Sequence, residues 1–310
     1  MHFSDRLAEA IKTKNNPSVL GLDPRLEYIP ESIKEESREN VDNPFQAAAK
    51  SIVEFNRRLI DSTYDIIPII KPQVAYYEMY GIEGMRALDE TISYARSKGL
   101  IVIADGKRND IGPTAEAYSS AFLGVTEIFG KACRAFNADA LTVNAYLGVD
   151  GIKPFLGDCM KDEKGIFVLV KTSNPSSGQL QDLVLEDGRR VYEMIADLVR
   201  EWGEPLKGVN GYSSVGAVVG ATYPEQLKTL RSRMPGVWIL VPGYGAQGGG
   251  AKDVASAFDK DGLGAVVNAS RSLMCAYKLD KWKNEFSHEE FAEAARAEAI
   301  HMRDDILTVL

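Results

Sequence analysis

The sequence predicts an α/β fold, a (β/α)8 (TIM) barrel, from three observations: eight short apolar runs, helical periodicity between them, and a length of 310 residues. That length accommodates one barrel of about 250 residues with enlarged loops. The runs are Ser18 to Leu22, Ile66 to Lys71, Leu100 to Asp105, Ala140 to Asn144, Ile166 to Lys171, Val215 to Gly220, Val237 to Pro242 and Gly264 to Asn268. Most are continuously apolar, as strands covered on both faces are. A doubly wound parallel sheet is the alternative.

The intervening elements follow in order. Met1 to Arg6 turns polar and amphipathic within a few residues and has no apolar run of signal-peptide length. Glu27 to Asp42 is a long, charged connection after the first strand. Asn43-Pro44 then supplies a helix N-cap and a proline for the first helical position, ahead of Phe45, Ala48, Ile52, Phe55 and Leu59 on roughly one face. Met85, Leu88, Ile92 and Ala95 repeat the pattern before a stop at Gly99. Asn174 to Arg190 is a second long loop, with room for a hairpin, and Val191, Ile195, Leu198 and Trp202 mark the next helix before Gly203. Ser287 and Glu290 have capping-box spacing ahead of a long C-terminal helix. No Pro, Gly or Ser-rich linker divides the chain, so one domain over 1–310 is expected. In a barrel, long strand-to-helix loops fall on the C-terminal rim, where active sites are built.

Composition excludes several classes. Lys+Arg 36 against Asp+Glu 44 leaves a net charge of −8, and without a basic block this argues against a nucleic-acid polymer or an anionic membrane as partner. No stretch approaches the roughly 18 consecutive apolar residues of a membrane span. Cys133, Cys159 and Cys275 lack Cys-x-x-Cys spacing, which suggests neither a disulfide framework nor a zinc site and fits the reducing cytoplasm. His2, His288 and His301 lie near the chain ends, far from every motif below. A Ser-His-Asp, Cys-His or histidine-based metal site is therefore not expected.

The chemistry concentrates at strand ends. The third strand closes on Asp105-Gly106-Lys107-Arg108-Asn109-Asp110-Ile111-Gly112, and positions i and i+2 of a strand share a face, so Asp105 and Lys107 should both point into the barrel mouth. Lys71 ends the neighbouring second strand. One such charge could simply mark the solvated end of a strand. A Lys-Asp-Lys-Asp array is instead neutral and mutually stabilised, which allows its members to be withdrawn from water.

Asp105-x-Lys107-x-x-Asp110 with Lys71 upstream resembles the charged tetrad of the orotidine 5′-phosphate decarboxylase family, and Asp110-Ile111-Gly112-Pro113-Thr114-Ala115 resembles its longer bacterial subgroup. Further matches run in order along the chain: Gly21-Leu22-Asp23-Pro24, Lys171-Thr172-Ser173-Asn174-Pro175, Pro242 to Gly249, and Asn268-Ala269-Ser270-Arg271-Ser272. Gly112-Pro113 and Ala269-Ser270 depart from the commoner pattern of the family. The resemblance implies decarboxylation of a nucleotide with no cofactor and no metal. Lys107 would be cation and proton donor, Asp105 and Asp110 would keep it charged, and Lys71 would bond Asp105 and a ribose hydroxyl. Asp23 would bind ribose, Ser173 the pyrimidine amide edge, Gln247 the phosphate and base, and Arg271 the phosphate. Ile111, Pro242 and Gly248 complete the implied substrate-binding set. Asp110 and Thr114 would reach into the site of a second subunit, which implies a homodimer.

Three alternatives stay open at this level. Gly243-x-Gly245-x-x-Gly248 fits a dinucleotide fingerprint, with Arg271 available for a 2′-phosphate. A related sugar-phosphate enzyme sharing Asp-x-Lys-x-x-Asp would need a divalent metal. A barrel that binds a phosphorylated ligand without turnover is the third. Asp23-Pro24 read alone is a common turn, and Trp202, Trp238 and Trp282 read as packing.

Overall fold

Short strands covered on both faces need neighbours on both edges, and in the computed structural model, which describes residues 1–222, 224–245 and 249–310, closure supplies them. The strands are β1 (Ser18–Leu22), β2 (Ile69–Pro72), β3 (Ile101–Arg108), β4 (Ala140–Val143), β5 (Gly165–Lys171), β6 (Val215–Val219), β7 (Ile239–Pro242) and β8 (Ala265–Ala269). Each pairs in parallel with its neighbour, and β1 returns to β8 with Ser18 opposite Val267, so the barrel has no free edge. All eight predicted strands are present. Closure removes the doubly wound alternative, and with it the strand-turn-helix crevice that a dinucleotide fingerprint requires. β2 starts three residues later than the apolar run because Pro68 brings no N–H to the ladder.

Alternation sorts the side chains. Val19, Ile69, Ile101, Ile103, Phe167, Val218, Leu240 and Val266 fill the barrel interior, while Leu20, Ile70, Val102, Leu141, Val168 and Val267 pack outward in the helical layer. An N-terminal helix, Phe3–Lys14, joins the interior cluster through Phe3, Leu7 and Ile11, with Phe3 set edge-on to Phe167 at 6.3 Å. Asp5 accepts the backbone N–H groups of Val209 and Asn210 and Ser4 donates to the Tyr212 carbonyl, so the helix lies across the N-terminal end of the strands. The charged strand ends lie at the opposite mouth.

The helices follow their capping signals with two differences. Asn43 Oδ1 accepts from Phe45 N at 3.0 Å and Pro44 opens the helix Pro44–Thr63, which buries Ala48, Ile52, Phe55 and Leu59; Phe45, expected on that face, is exposed. Glu290 takes both the N–H and the hydroxyl of Ser287, yet the C-terminal helix begins only at Phe291, so the pair closes the turn before it. Leu88, Ile92 and Ala95 are buried in Gly81–Ser97, and Trp202 in Val191–Gly203. The charged connection holds a helix, Glu31–Arg38, and the 174–190 loop closes with an antiparallel bridge between Val184 and Arg190. A hairpin, Thr126–Ile128 with Lys131–Cys133, was not predicted; its apolar residues are few and exposed. Among the described residues no helix is long and apolar enough to cross a membrane, and Cys133, Cys159 and Cys275 are unbridged.

Candidate active site

The pairing of β3 with β4 breaks where the charges begin. Ala104 sits opposite Leu141 and Arg108 opposite Val143, which leaves Asp105, Gly106 and Lys107 facing Thr142 alone. Lys107 absorbs the excess chain in the left-handed region, with φ 46°. For a residue with a side chain that conformation costs roughly 1–2 kcal/mol. Simple alternation therefore places Asp105 on the interior face, as expected, but Lys107 reaches the same point through a bulge. Bulges re-aim side chains in this way beside active sites.

Both carboxylate oxygens of Asp105 are saturated. Oδ2 accepts from Lys71 Nζ at 2.7 Å and Gln73 Nε2 at 2.9 Å; Oδ1 accepts from Lys107 Nζ at 2.7 Å and Thr142 Oγ1 at 2.8 Å. Lys71 and Asp105 are buried, whereas the Lys107 side chain is 46% exposed. Burial works against the Asp105 charge, but the two ammonium groups outweigh it and hold the carboxyl well below the usual carboxylate range. Burial likewise opposes the Lys71 charge, and Asp105 and Asp23 overcome it, raising Lys71 above its ordinary value. Asp23 goes the other way: burial raises it, and Lys71 and a Ser270 hydrogen bond offset this only in part. Its Oδ1 atom is buried with no hydrogen-bond partner, as is Oδ1 of Asn268 on β8.

These groups line one cavity of about 680 Å³ at the C-terminal mouth. Of the sequence-predicted residues, Asp23, Lys71, Asp105, Lys107, Ser173, Pro242 and Arg271 are in its walls. Asp110, Ile111 and Thr114 are not: Asp110 Oδ1 accepts its neighbour's N–H at Ile111, and Ile111 and Thr114 are exposed on the rim. Gln247 and Gly248 lie outside the described residues. Sequence reasoning missed Gln73 and Thr142. Gln73 had a signal, since it stands two residues beyond Lys71 and shares its face. It also missed the tie beneath Ser173. The register shifts between Leu169 and Lys171, and Lys171, 1% exposed, lies over the Tyr192 ring and donates to Asp182 of the 174–190 loop at 3.0 Å. Gln181 of the same loop exchanges two hydrogen bonds with Thr172.

No group of three or more His, Cys, Asp or Glu side chains gathers among the described residues in a way that suits a metal ion. What the walls offer is a compensated Lys-Asp-Lys centre at the interior end, and Arg271 with positive-φ Gly243 at the rim. An arginine fork beside a glycine-rich turn after the seventh strand is suited to an anion such as phosphate.

A parallel barrel with such a charged centre at its C-terminal mouth defines a (β/α)8-barrel enzyme. The family model "Orotidine 5'-phosphate decarboxylase / HUMPS family" matches residues 21–281, and the chain belongs to that family. It is 45% identical over 306 residues to orotidine 5'-phosphate decarboxylase of Rhodopirellula baltica, covering 99% of each chain. Among solved structures it resembles the OMP decarboxylase of Leishmania donovani with TM-score 0.70 and 33% identity, covering 98% of this chain and 99% of that one. It also matches Leishmania donovani UMP synthase with TM-score 0.75 and 35% identity, over all of this chain and 56% of that longer one.

Proposed function

We propose that this chain converts orotidine 5′-phosphate to UMP, in pyrimidine biosynthesis, by direct decarboxylation at C6 with Lys107 as cation and proton donor. The observation that carries the reading is the Lys71-Asp105-Lys107 array, in which one fully hydrogen-bonded carboxylate holds two ammonium groups at the interior end of a cavity. Loss of CO2 breaks the bond from C6 to the carboxyl carbon and leaves its electron pair on C6, in an sp² orbital that the ring carbonyls do not delocalise directly. Lys107 Nζ places positive charge there and then gives C6 its proton, recovering one from water. Asp105, unable to turn away because four donors hold it, faces the substrate carboxylate and disfavours it relative to the transition state. Stabilisation of this kind rests on charges already oriented before the reaction starts.

The remaining walls suit the rest of the nucleotide. The unpartnered Asp23 Oδ1 is an acceptor for a ribose hydroxyl, Ser173 for the amide edge of the base, and Arg271 is the donor for the phosphate. Two features support a homodimer with shared sites. Asp110 and Thr114 are outside the cavity of their own chain, and Ile111, Tyr146, Leu147 and Val149 present exposed apolar side chains on this part of the surface. The test is a spectrophotometric assay of purified protein with orotidine 5′-phosphate, with and without chelator. UMP formation unchanged by chelation is expected. A strict need for a divalent ion would favour a metal-dependent sugar-phosphate reaction of the same family, and nucleotide binding without turnover would reduce the protein to a binding barrel.

A further inference from the structure

We infer that Thr142 is a positioning residue for the reaction, its hydroxyl holding Lys107 and Asp105 in mutual register across the bulge between β3 and β4. The inference rests on the decarboxylase reading for its kinetic consequence, and on geometry alone for the rest.

Thr142 is the single residue opposite three, and it is buried, 1% exposed. In a regular parallel ladder alternate N–H groups of β3 would be taken by carbonyls of β4. At the bulge that match is lost, and the Lys107 N–H is accepted instead by Thr142 Oγ1 at 2.9 Å. The same oxygen donates its one proton to Asp105 Oδ1 at 2.8 Å. A hydroxyl has a single proton, and a backbone N–H can only donate, so the direction of this chain is forced: Lys107 N–H to Oγ1, Oγ1–H to the carboxylate. Lys107 Nζ returns to that same Oδ1, closing a ring from the Lys107 main chain, through Thr142 and Asp105, back to the Lys107 side chain.

The ring addresses a specific weakness. Lys107 is the member of the charged array with the exposed side chain, and it stands on a left-handed backbone that a lysine does not favour. Its ammonium could swing on its long stem. Thr142 anchors both ends of that stem, the amide directly and the ammonium through Asp105. Placement within about 1 Å at a reacting atom is worth on the order of 100-fold in rate. Thr142 thus sets where the proton donor stands before substrate arrives, without carrying charge itself.

Thr142→Val keeps the shape and removes the hydroxyl; Thr142→Ser keeps the hydroxyl and removes the methyl. With wild-type turnover measured first, Thr142→Val should lose about 10- to 100-fold in kcat, the scale expected when a hydroxyl bonding a charged group and a strained amide is deleted. KM should stay within about threefold, and Thr142→Ser should restore most of kcat. A crystal structure of Thr142→Val should show Lys107 leaving the left-handed region or its ammonium parting from Asp105. Retention of more than half the wild-type kcat in Thr142→Val, equal losses in Val and Ser, or a rise in KM in place of the fall in kcat would each overturn the inference while leaving the decarboxylase reading intact. If the wild type itself makes no UMP, that reading fails, and the Thr142→Val structure alone decides the positioning: an unmoved Lys107 sinks it. Should Thr142→Val not fold, Thr142→Cys against Thr142→Ser makes the same comparison with one atom changed.

Discussion

Asp105 on β3 and Asp110 on the turn that follows it are five residues apart, yet only Asp105 faces the cavity; Asp110 is turned to the rim, where its carboxylate takes the N–H of Ile111. If Asp110 completes the site of a second subunit, mixing inactive Lys107→Ala and Asp110→Ala proteins should regenerate activity. Equal amounts give about half mixed dimers, each with one intact site of two, so recovery should approach about a quarter of wild type. Subunit exchange followed by mass, with no activity returning, would place Asp110 in its own subunit's chemistry.

Lys107→Ala removes the cation and the proton donor together from a half-exposed position on the cavity wall. Turnover should fall by several orders of magnitude while circular dichroism and the unfolding temperature stay close to wild type. A variant retaining more than about a tenth of wild-type kcat, a change near 1.4 kcal/mol, would remove Lys107 from the mechanism.

Arg271 lines the rim beside Gly243, away from the Lys-Asp-Lys centre. Arg271→Ala should lower kcat/KM for the nucleotide by about 100-fold or more, since charge-assisted forks are strong, and leave the phosphate-free nucleoside nearly unaffected. Equal losses on both substrates would show that Arg271 holds the rim and not the phosphate.

The two carboxylates in the cavity wall, Asp23 and Asp105, should titrate apart. Asp105 is lowered by Lys71 and Lys107 against the effect of burial, so its ionised form stabilises the fold above the ordinary value of 3.8, and that stabilisation is lost as pH falls through the lower folded value. Asp23 is raised, chiefly by burial, so its charge costs stability at neutral pH and the cost is relieved as pH falls through a value above 3.8. On acidification Asp23 therefore takes its proton before Asp105, and its titration is read in the acid limb of kcat/KM for the phosphate-free nucleoside, where the substrate phosphate, with a second pKa of about 6, does not overlie it. The pH profile of Asp23→Asn should be lower throughout and flat on the acid side; an unchanged limb would assign the titration elsewhere.

Much of this molecule is legible in its sequence, because the rules involved are local. A run such as Ile101 to Ala104 is apolar at every position only if both faces are covered, and alternation then sends Val19, Ile69 and Ile103 inward. The same parity carries Asp23, Lys71 and Asp105 to one mouth. Asn43-Pro44 marks a helix start from the chemistry of two adjacent residues. What no local rule supplies is register. That three residues of β3 meet Thr142 alone, that Gln73 completes Asp105, and that Lys171 finds Asp182 across the 174–190 loop all depend on how far one strand or loop slides against another. That sliding is settled by the closed ladder and by side chains distant in sequence. The presence of a charged centre was thus determined residue by residue along the chain, whereas its geometry, with Lys107 kinked back onto Asp105, was decided only when the barrel closed and the bulge had to be accommodated.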